Sequence, residues 1–226
     1  GRGMMNILVL GSDGSLGGEL FNKLALTEDV VGIRMEDVNN GNWDQIELDI
    51  EHFGPYDQVY NIHGVSHLSH IGESFSKLDS RIMDINVNAY YNIVHLVKKH
   101  QDTPCKVLNM ASVAHRVAMR KSALYCASKA AVVQLTKVIA RELAPEGWVV
   151  NCIAPGLLKD TLMTEMTEVQ VRKLRGWTQE EADSYALNNI PMGRYTSKQE
   201  VIEAMIKIMD LPSYINGSCI EMTGGV

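Results

Sequence analysis

The stretch MNILVLGSDGSLGGEL (residues 5–20) holds the decision about the fold. Its first half is apolar at nearly every position rather than at every second one. A strand of that kind is buried on both faces, which happens in parallel sheets covered by helices. Glycines then follow at 11, 14 and 17, between the strand and a helical pattern that starts near Leu16. Gly11 suits a tight turn, Gly14 allows backbone to approach a diphosphate, and Gly17 allows the helix to pack closely on the strand. The helix N-terminus offers unpaired N–H groups and the positive end of its dipole. Gly11, Ser12, Asp13, Gly14, Ser15, Leu16 and Gly17 therefore form a candidate cradle for the phosphates of a dinucleotide.

The pattern continues outward from that unit. A helix over Leu16–Leu26 leads to a second strand, DVVGIR (29–34). VNNGNWDQ (38–45) is too polar and turn-rich for a helix, and QIELDI (45–50) alternates like a third strand. QVYNIHG (58–64), CKVLNMAS (105–112), WVVNCIAPG (148–156) and GSCIEMTGG (217–225) read as further strands. Helical period runs from Phe75 to His100, through Ile82, Ile85, Ile93, Leu96 and Val97, and again over Tyr125–Leu143, 178–189 and 197–211. The expectation is an α/β fold: a single Rossmann-type doubly wound sheet of about seven mostly parallel strands with helices on both faces. Residues 5–226 read as one dinucleotide-binding and catalytic domain, and residues 1–4 as an expression scar.

Composition narrows the function. Hydrophobic residues make up 46% and charged residues 21% of 226, a globular balance. A net charge of −6 supplies no basic field for nucleic acid. The densest basic run, Arg172, Lys173 and Arg175, suits a solvated helix face. Cys105, Cys126, Cys152 and Cys219 have neither CxxC nor metal-ligand spacing, which points to free thiols in a reducing, cytoplasmic compartment and to no metal. No uncharged apolar run reaches the ~20 residues of a membrane span, and no signal peptide is evident.

In SALYCASKAAV (122–132), Tyr125 and Lys129 stand four apart and so share a helix face. A phenol ordinarily titrates near ~10, and a neighbouring ammonium favours the phenolate. Arg34, at the end of the second strand, suits a ribose 2′-phosphate, which favours NADP(H) over NAD(H). Glu36, Asp37 and Asp13 weigh the other way.

With both motifs in hand, the chain resembles the short-chain dehydrogenase/reductase family almost end to end, in a compact form with a GxxGxxG loop. Tyr125-Cys-Ala-Ser-Lys129 matches its YxxxK motif, Ser112 stands 13 residues earlier, and Asn86 in DINVNAYYN matches its helix asparagine. Asn61-Ile-His63-Gly64 is similar to its NNAG segment, and Asp49-Ile50 to its adenine-contacting pair. Pro155-Gly156 with Thr161 is similar to its nicotinamide-side loop; IPMGRYTSKQEV (190–201) and the closing TGG also fit. The resemblance implies an NAD(P)-dependent oxidoreductase interconverting carbonyl and alcohol. Tyr125 would be general acid/base, Ser112 would hold the substrate oxygen, Lys129 would also bind ribose, and Asn86 would hold a water relay. Departures are Ser15 at the family's middle glycine, short connections from Arg34 to Asp49 and on to Asn61, Ala111 before Ser112, and Thr161 one residue late.

The substrate is expected where loops 64–76, 113–124 and 157–190 meet, near His67, His70, His115, Arg116, Arg120 and Lys121, with His63 on the cofactor side. Arg116, with His115, suggests a polar or anionic carbonyl compound. Apolar helix faces with Tyr90, Tyr91, Val94, Val132, Val133 and Leu135 suggest a homodimer or homotetramer, with neither nucleic acid nor membrane as partner. Two rival readings are an extended-type nucleotide-sugar epimerase or dehydratase and a non-catalytic NAD(P)-binding regulatory module.

Overall fold

A computed structural model describes residues 3–73 and 75–226 of the chain, so Gly1 and Arg2 of the expected scar lie outside it. The chain runs β1 (Asn6–Leu10), α1 (Ser15–Leu24), β2 (Asp29–Ile33), α2 (Met35–Asn39), α3 (Trp43–Phe53) and β3 (Gln58–Asn61). It continues with α4 (Ala89–His100), β4 (Lys106–Met110), α5 (Ala123–Leu143) and β5 (Val149–Pro155). It ends with α6 (Leu162–Arg175), α7 (Gln179–Asn188), α8 (Lys198–Met209) and β6 (Cys219–Met222). The strands form one parallel sheet in the order β2-β1-β3-β4-β5-β6.

The continuous apolar runs explain the sheet. Ile7 to Leu10 are fully buried, and every residue of β3 and β5 is buried, as a sheet covered on both faces requires. In β4, Asn109 reaches Thr136 of α5, while Lys106, three residues away and so on the opposite face, reaches the Met209 carbonyl of α8. α1 packs against α8, and α3 against α4. α5, extended by a 3₁₀ turn at Ala144–Glu146, is the one helix among the described residues long and apolar enough to cross a membrane. Its Lys129, Val132, Val133, Thr136, Ile139, Ala140 and Leu143 are buried, as in a core helix.

The expected third strand is a helix, which reduces the sheet to six strands. Ile46, Leu48 and Ile50 alternate as in a strand, but Ile46 and Ile50 also stand four apart, on one helix face. The structure separates the two readings: Ile46 and Ile50 are 2% and 1% exposed, while Leu48 is 57% exposed. The turn-rich segment 38–45, expected to be non-helical, is helical at both ends, and only Asn40, Gly41 and Asn42 separate α2 from α3. The predicted helix from Phe75 starts instead at a 3₁₀ turn, Asp79–Arg81, and passes through a π-helical turn, Asp84–Asn88, into α4.

Candidate active site

Because all strands are parallel, their carboxyl ends meet along one edge, and the candidate residues gather there. Gly11 turns the chain out of β1 with φ +90°, and its N–H and that of Ser12 donate to the Ile33 carbonyl of β2. A Cβ on Gly17 would stand 2.0 Å from the Gly11 carbonyl oxygen, and one on Gly14 would stand 3.3 Å from it. Gly14 caps α1 without any side-chain hydrogen bond, so the first N–H groups of the helix have no cap competing for them. This cradle, which side chains at 14 and 17 would fill, fits the phosphates of a dinucleotide. Asp13 is committed locally, since its Oδ1 accepts from the Met35 N–H at 2.7 Å.

Across the edge, Ser112 ends the segment after β4 and accepts from the Ala114 N–H at 3.1 Å. Tyr125 lies in the first turn of α5, with Ser112 near enough to its phenol to lower the phenol's pKa. Lys129, one turn on and only 2% exposed, donates to the Met110 carbonyl at 2.8 Å, its Nζ 5.9 Å from the Tyr125 ring centre. Burial pushes the Lys129 ammonium down to about 8. Asn86, fully buried in the π-helical turn, accepts from the Val65 N–H and donates to the Val65 carbonyl, each at 2.8 Å, and to Ser128 Oγ at 3.0 Å. A Cβ on Gly64 would lie 3.4 Å from Asn86 Oδ1 and 3.5 Å from Lys129 Nζ. Asn86, Ser112, Tyr125 and Lys129 thus lie in neighbouring segments at this edge of the sheet.

One electrostatic expectation is reversed. Desolvation raises the Tyr125 pKa, and the hydrogen bond with Ser112 lowers it by less. Burial acts on the lysine as well, so the protein alone holds the phenol protonated rather than poised as phenolate.

Other predicted contacts fall elsewhere. Asp49 and Ile50 lie on α3, where Asp49 accepts from Gln45 at 2.8 Å and Ile50 is core, so neither stands at a strand end to meet adenine. The Asn61 side chain is buried too, donating to Asn109 Oδ1 at 2.9 Å across neighbouring strands and stapling β3 to β4. His63 is buried beside Gly11, with neither ring nitrogen hydrogen-bonded, and desolvation pushes it down to about 4. Pro155 ends β5, the Gly156 N–H donates to the Met222 carbonyl at 2.8 Å, and Thr161 is buried beyond them. Arg34 caps α2 and forks onto Asp37 at 3.0 and 3.1 Å, with Glu36 at 3.8 Å.

Arg116 is not free to meet an anion: it forks onto Glu221 at 2.7 Å through both nitrogens and donates to the Val226 carbonyl. His115 accompanies it, 3.4 Å from Glu221. The guanidinium expected to meet an anion is paired with a carboxylate here, in an ion pair partly open to solvent. The helix faces are mostly internal as well. Tyr90, Val94, Val132 and Val133 are buried in the core and Leu135 packs against it, leaving Tyr91, stacked on His95, and Val138 on the outside.

Two features escaped the sequence reading. Lys198, at the start of α8, reaches Ser15 Oγ at 3.3 Å and Glu19 at 2.6 Å, placing a cation at the N-terminus of α1. His67 Nδ1 meets the buried Asp79 carboxylate at 2.9 Å. Ser76 and Asp79 cap one another reciprocally, and that S-x-x-D spacing was the available signal. Arg175 of the basic run stacks over Trp177 and Tyr185 at 4.5 and 5.2 Å, rather than standing free in solvent.

A doubly wound sheet with a glycine cradle at its first crossover and a Ser–Tyr–Lys constellation at its carboxyl edge defines the dinucleotide-dependent oxidoreductase class. A family model described as enoyl-(acyl carrier protein) reductase matches residues 34–226. The D-erythrulose reductase of Gallus gallus is 25% identical over 205 residues, 89% of this chain and 79% of that protein. The L-xylulose reductase of Homo sapiens is 26% identical over 205 residues, 89% of this chain and 80% of that protein. The structure of sorbitol-6-phosphate 2-dehydrogenase SrlD from Erwinia amylovora matches with a TM-score of 0.86 over 97% of this chain and 98% of that one, at 20% identity. The chain belongs to the short-chain dehydrogenase/reductase family and is an NAD(P)-dependent oxidoreductase of carbonyl compounds and alcohols.

Proposed function

We propose that residues 5–226 form a single catalytic domain that interconverts a ketone and a secondary alcohol, with Tyr125 as general acid in reduction and general base in oxidation. The observation that carries this is the convergence of Ser112, Tyr125 and the buried Lys129, whose Nζ lies 5.9 Å from the phenol ring centre. The bound nicotinamide would supply or take up the hydride, held by the 11–17 cradle, Gly64, Lys129 and the Pro155–Gly156 turn with Thr161. Ser112 and Tyr125 donate to the substrate oxygen, holding it and stabilising the charge that develops on it. The phenol is protonated at neutral pH, the form in which a general acid starts, while desolvation by itself moves its pKa away from that pH. Lys129, pushed down to about 8, can exchange its proton near neutral pH, and Asn86 in the π-helical turn orders the loop that covers it.

The relatives named for erythrulose and xylulose support a small, uncharged polyhydroxy ketone as substrate. NADP(H) is favoured over NAD(H), because Arg34 stands at the end of β2; its pairing with Asp37 is exposed and easily reopened by a phosphate. The protein is read as cytoplasmic from its four free thiols, and as a homodimer or homotetramer through the outer faces of α4 and α5 at Tyr91, His95 and Val138. Oxidation of NADPH and NADH with a panel of hydroxy ketones, for wild type and Tyr125→Phe, tests the reading. Wild type should turn over and the variant should lose at least about a hundredfold in kcat/KM. An equally active Tyr125→Phe enzyme refutes the proposed acid.

A further inference from the structure

We propose that His67 is a specificity-determining residue whose Nε2 accepts a hydrogen bond from a substrate hydroxyl next to the reacting carbonyl. The inference rests on the carbonyl-reductase reading of the Ser112–Tyr125–Lys129 site and deepens it.

The first argument is position. The loop bearing His67 is tied at both ends to the catalytic residues' own supports. At one end Asn86 holds both backbone polar groups of Val65, and the preceding Gly64 packs beside Lys129 Nζ. At the other end the Ser69 N–H donates at 2.8 Å to the carbonyl of Lys121, in the turn that leads into α5 just before Tyr125. His67 is two residues from each tie, and two residues of chain span at most about 7 Å. The backbone of His67 therefore lies within about 7 Å of both ties, beside the segments that carry Tyr125 and Lys129.

The second argument is orientation. Asp79 Oδ1 meets His67 Nδ1 at 2.9 Å, and Oδ2 accepts from the Ser76 N–H at 2.9 Å. Ser69 Oγ adds a long contact to Oδ1 at 3.4 Å. Hydrogen bonds from Ser76, then from His67, hold Asp79 down to about 2 despite its burial, so the carboxylate can only accept. The proton between the two residues then belongs to His67 Nδ1, and in the neutral ring Nε2 carries the lone pair. No partner for Nε2 is recorded among the described residues, and the His67 side chain is a quarter exposed while that of Asp79 is 2% exposed. A buried carboxylate thus fixes the ring through Nδ1 and leaves the Nε2 edge as the acceptor that the proposal assigns to the substrate.

The third argument is complementarity. Ser112 and Tyr125 both direct their hydroxyl hydrogens toward the carbonyl oxygen, so a neighbouring hydroxyl's hydrogen is best met by a separate acceptor. Such an acceptor favours an α-hydroxy ketone over the same ketone without the hydroxyl. His67 and Asp79 are 12 residues apart in sequence and meet only through the fold.

The test compares kcat/KM for 3-hydroxy-2-butanone and for 2-butanone, with the preferred nicotinamide, in wild type, His67→Leu, His67→Gln and Asp79→Asn. The ratio of the two constants should fall about tenfold in His67→Leu, mainly through KM, and recover in part in His67→Gln, whose amide oxygen can accept. Asp79→Asn should also lower the ratio, because its amide can donate to Nδ1 and release the tautomer. If that variant does not fold, the two His67 variants carry the test. An unchanged ratio in His67→Leu, or a Gln variant no better than Leu, overturns the proposal while leaving the reductase reading intact. A wild type inactive on both ketones with either nicotinamide removes the reductase reading, and this inference falls with it.

Discussion

Replacing Lys129 by methionine should destroy activity and yet make the protein relatively more stable at low pH than at high pH. In the folded chain the ammonium is 2% exposed and burial lowers its pKa from 10.5 to about 8. That drop corresponds to about 3 kcal/mol against the charged form, at 1.36 kcal/mol per pKa unit. The charge-assisted hydrogen bond to the Met110 carbonyl returns about 1.5–3 kcal/mol of this. Lys129→Met removes both terms, so below pH 8 it should be between neutral and about 2 kcal/mol more stable than wild type. The pH dependence is the sharper quantity. Between about pH 8 and 10.5 the unfolded chain binds the lysine proton and the folded chain does not, so this group makes wild-type stability rise with pH across that window. The variant lacks this rise. Its advantage over wild type should shrink by about 2 kcal/mol between pH 6.5 and pH 9.5. Urea unfolding followed by circular dichroism at the two pH values measures the difference, and groups common to both proteins cancel. A difference independent of pH would refute the argument that Lys129 is a desolvated charge kept for its chemistry.

Other substitutions probe the cofactor side and the thiols. Arg34→Ala should weaken NADPH binding several-fold more than NADH binding, and Asp37→Asn should strengthen NADPH, because the guanidinium now shared with Asp37 is released; fluorescence titration at fixed salt reads both. Equal losses for the two nucleotides in Arg34→Ala would remove the phosphate-reading role. Gly17→Ala places a Cβ 2.0 Å from the Gly11 carbonyl oxygen, so it should destabilise the fold by about 1–3 kcal/mol and abolish nucleotide binding, seen as a lower Tm and a flat titration. Cys219, pushed down to about 7 by the hydrogen bond from Cys152 in the neighbouring strand, should be the first thiol alkylated by iodoacetamide. Its reaction rate should rise through neutral pH, while buried Cys152, pushed up by that same bond and by desolvation, stays unmodified in mass-mapped digests.

Much of this protein was legible in its sequence because the relevant information is local. The apolar run before Gly11, the three-residue glycine spacing and the four-residue step from Tyr125 to Lys129 are each decided within a few residues. Backbone geometry turns each of them directly into a strand, a turn and a shared helix face. Where local patterns are ambiguous, the fold made the choice. Ile46, Leu48 and Ile50 satisfy strand and helix periods alike, and burial of two of them with exposure of the third selects the helix. That outcome removes a strand from the sheet and takes Asp49 and Ile50 away from the nucleotide edge. Charge was the least legible property, since a guanidinium or carboxylate takes its meaning from what stands opposite. Arg116 reads as an anion receptor until Glu221, 105 residues away, is found bonded to it. Tyr125 reads as an activated phenol until desolvation is weighed against its hydrogen bond with Ser112. The sequence by itself determined the alternation of strand and helix around the glycine turn and set Tyr125 and Lys129 on one helix face. Only the tertiary structure decided which charges are spent on one another, because pairing and desolvation depend on distance in space rather than along the chain.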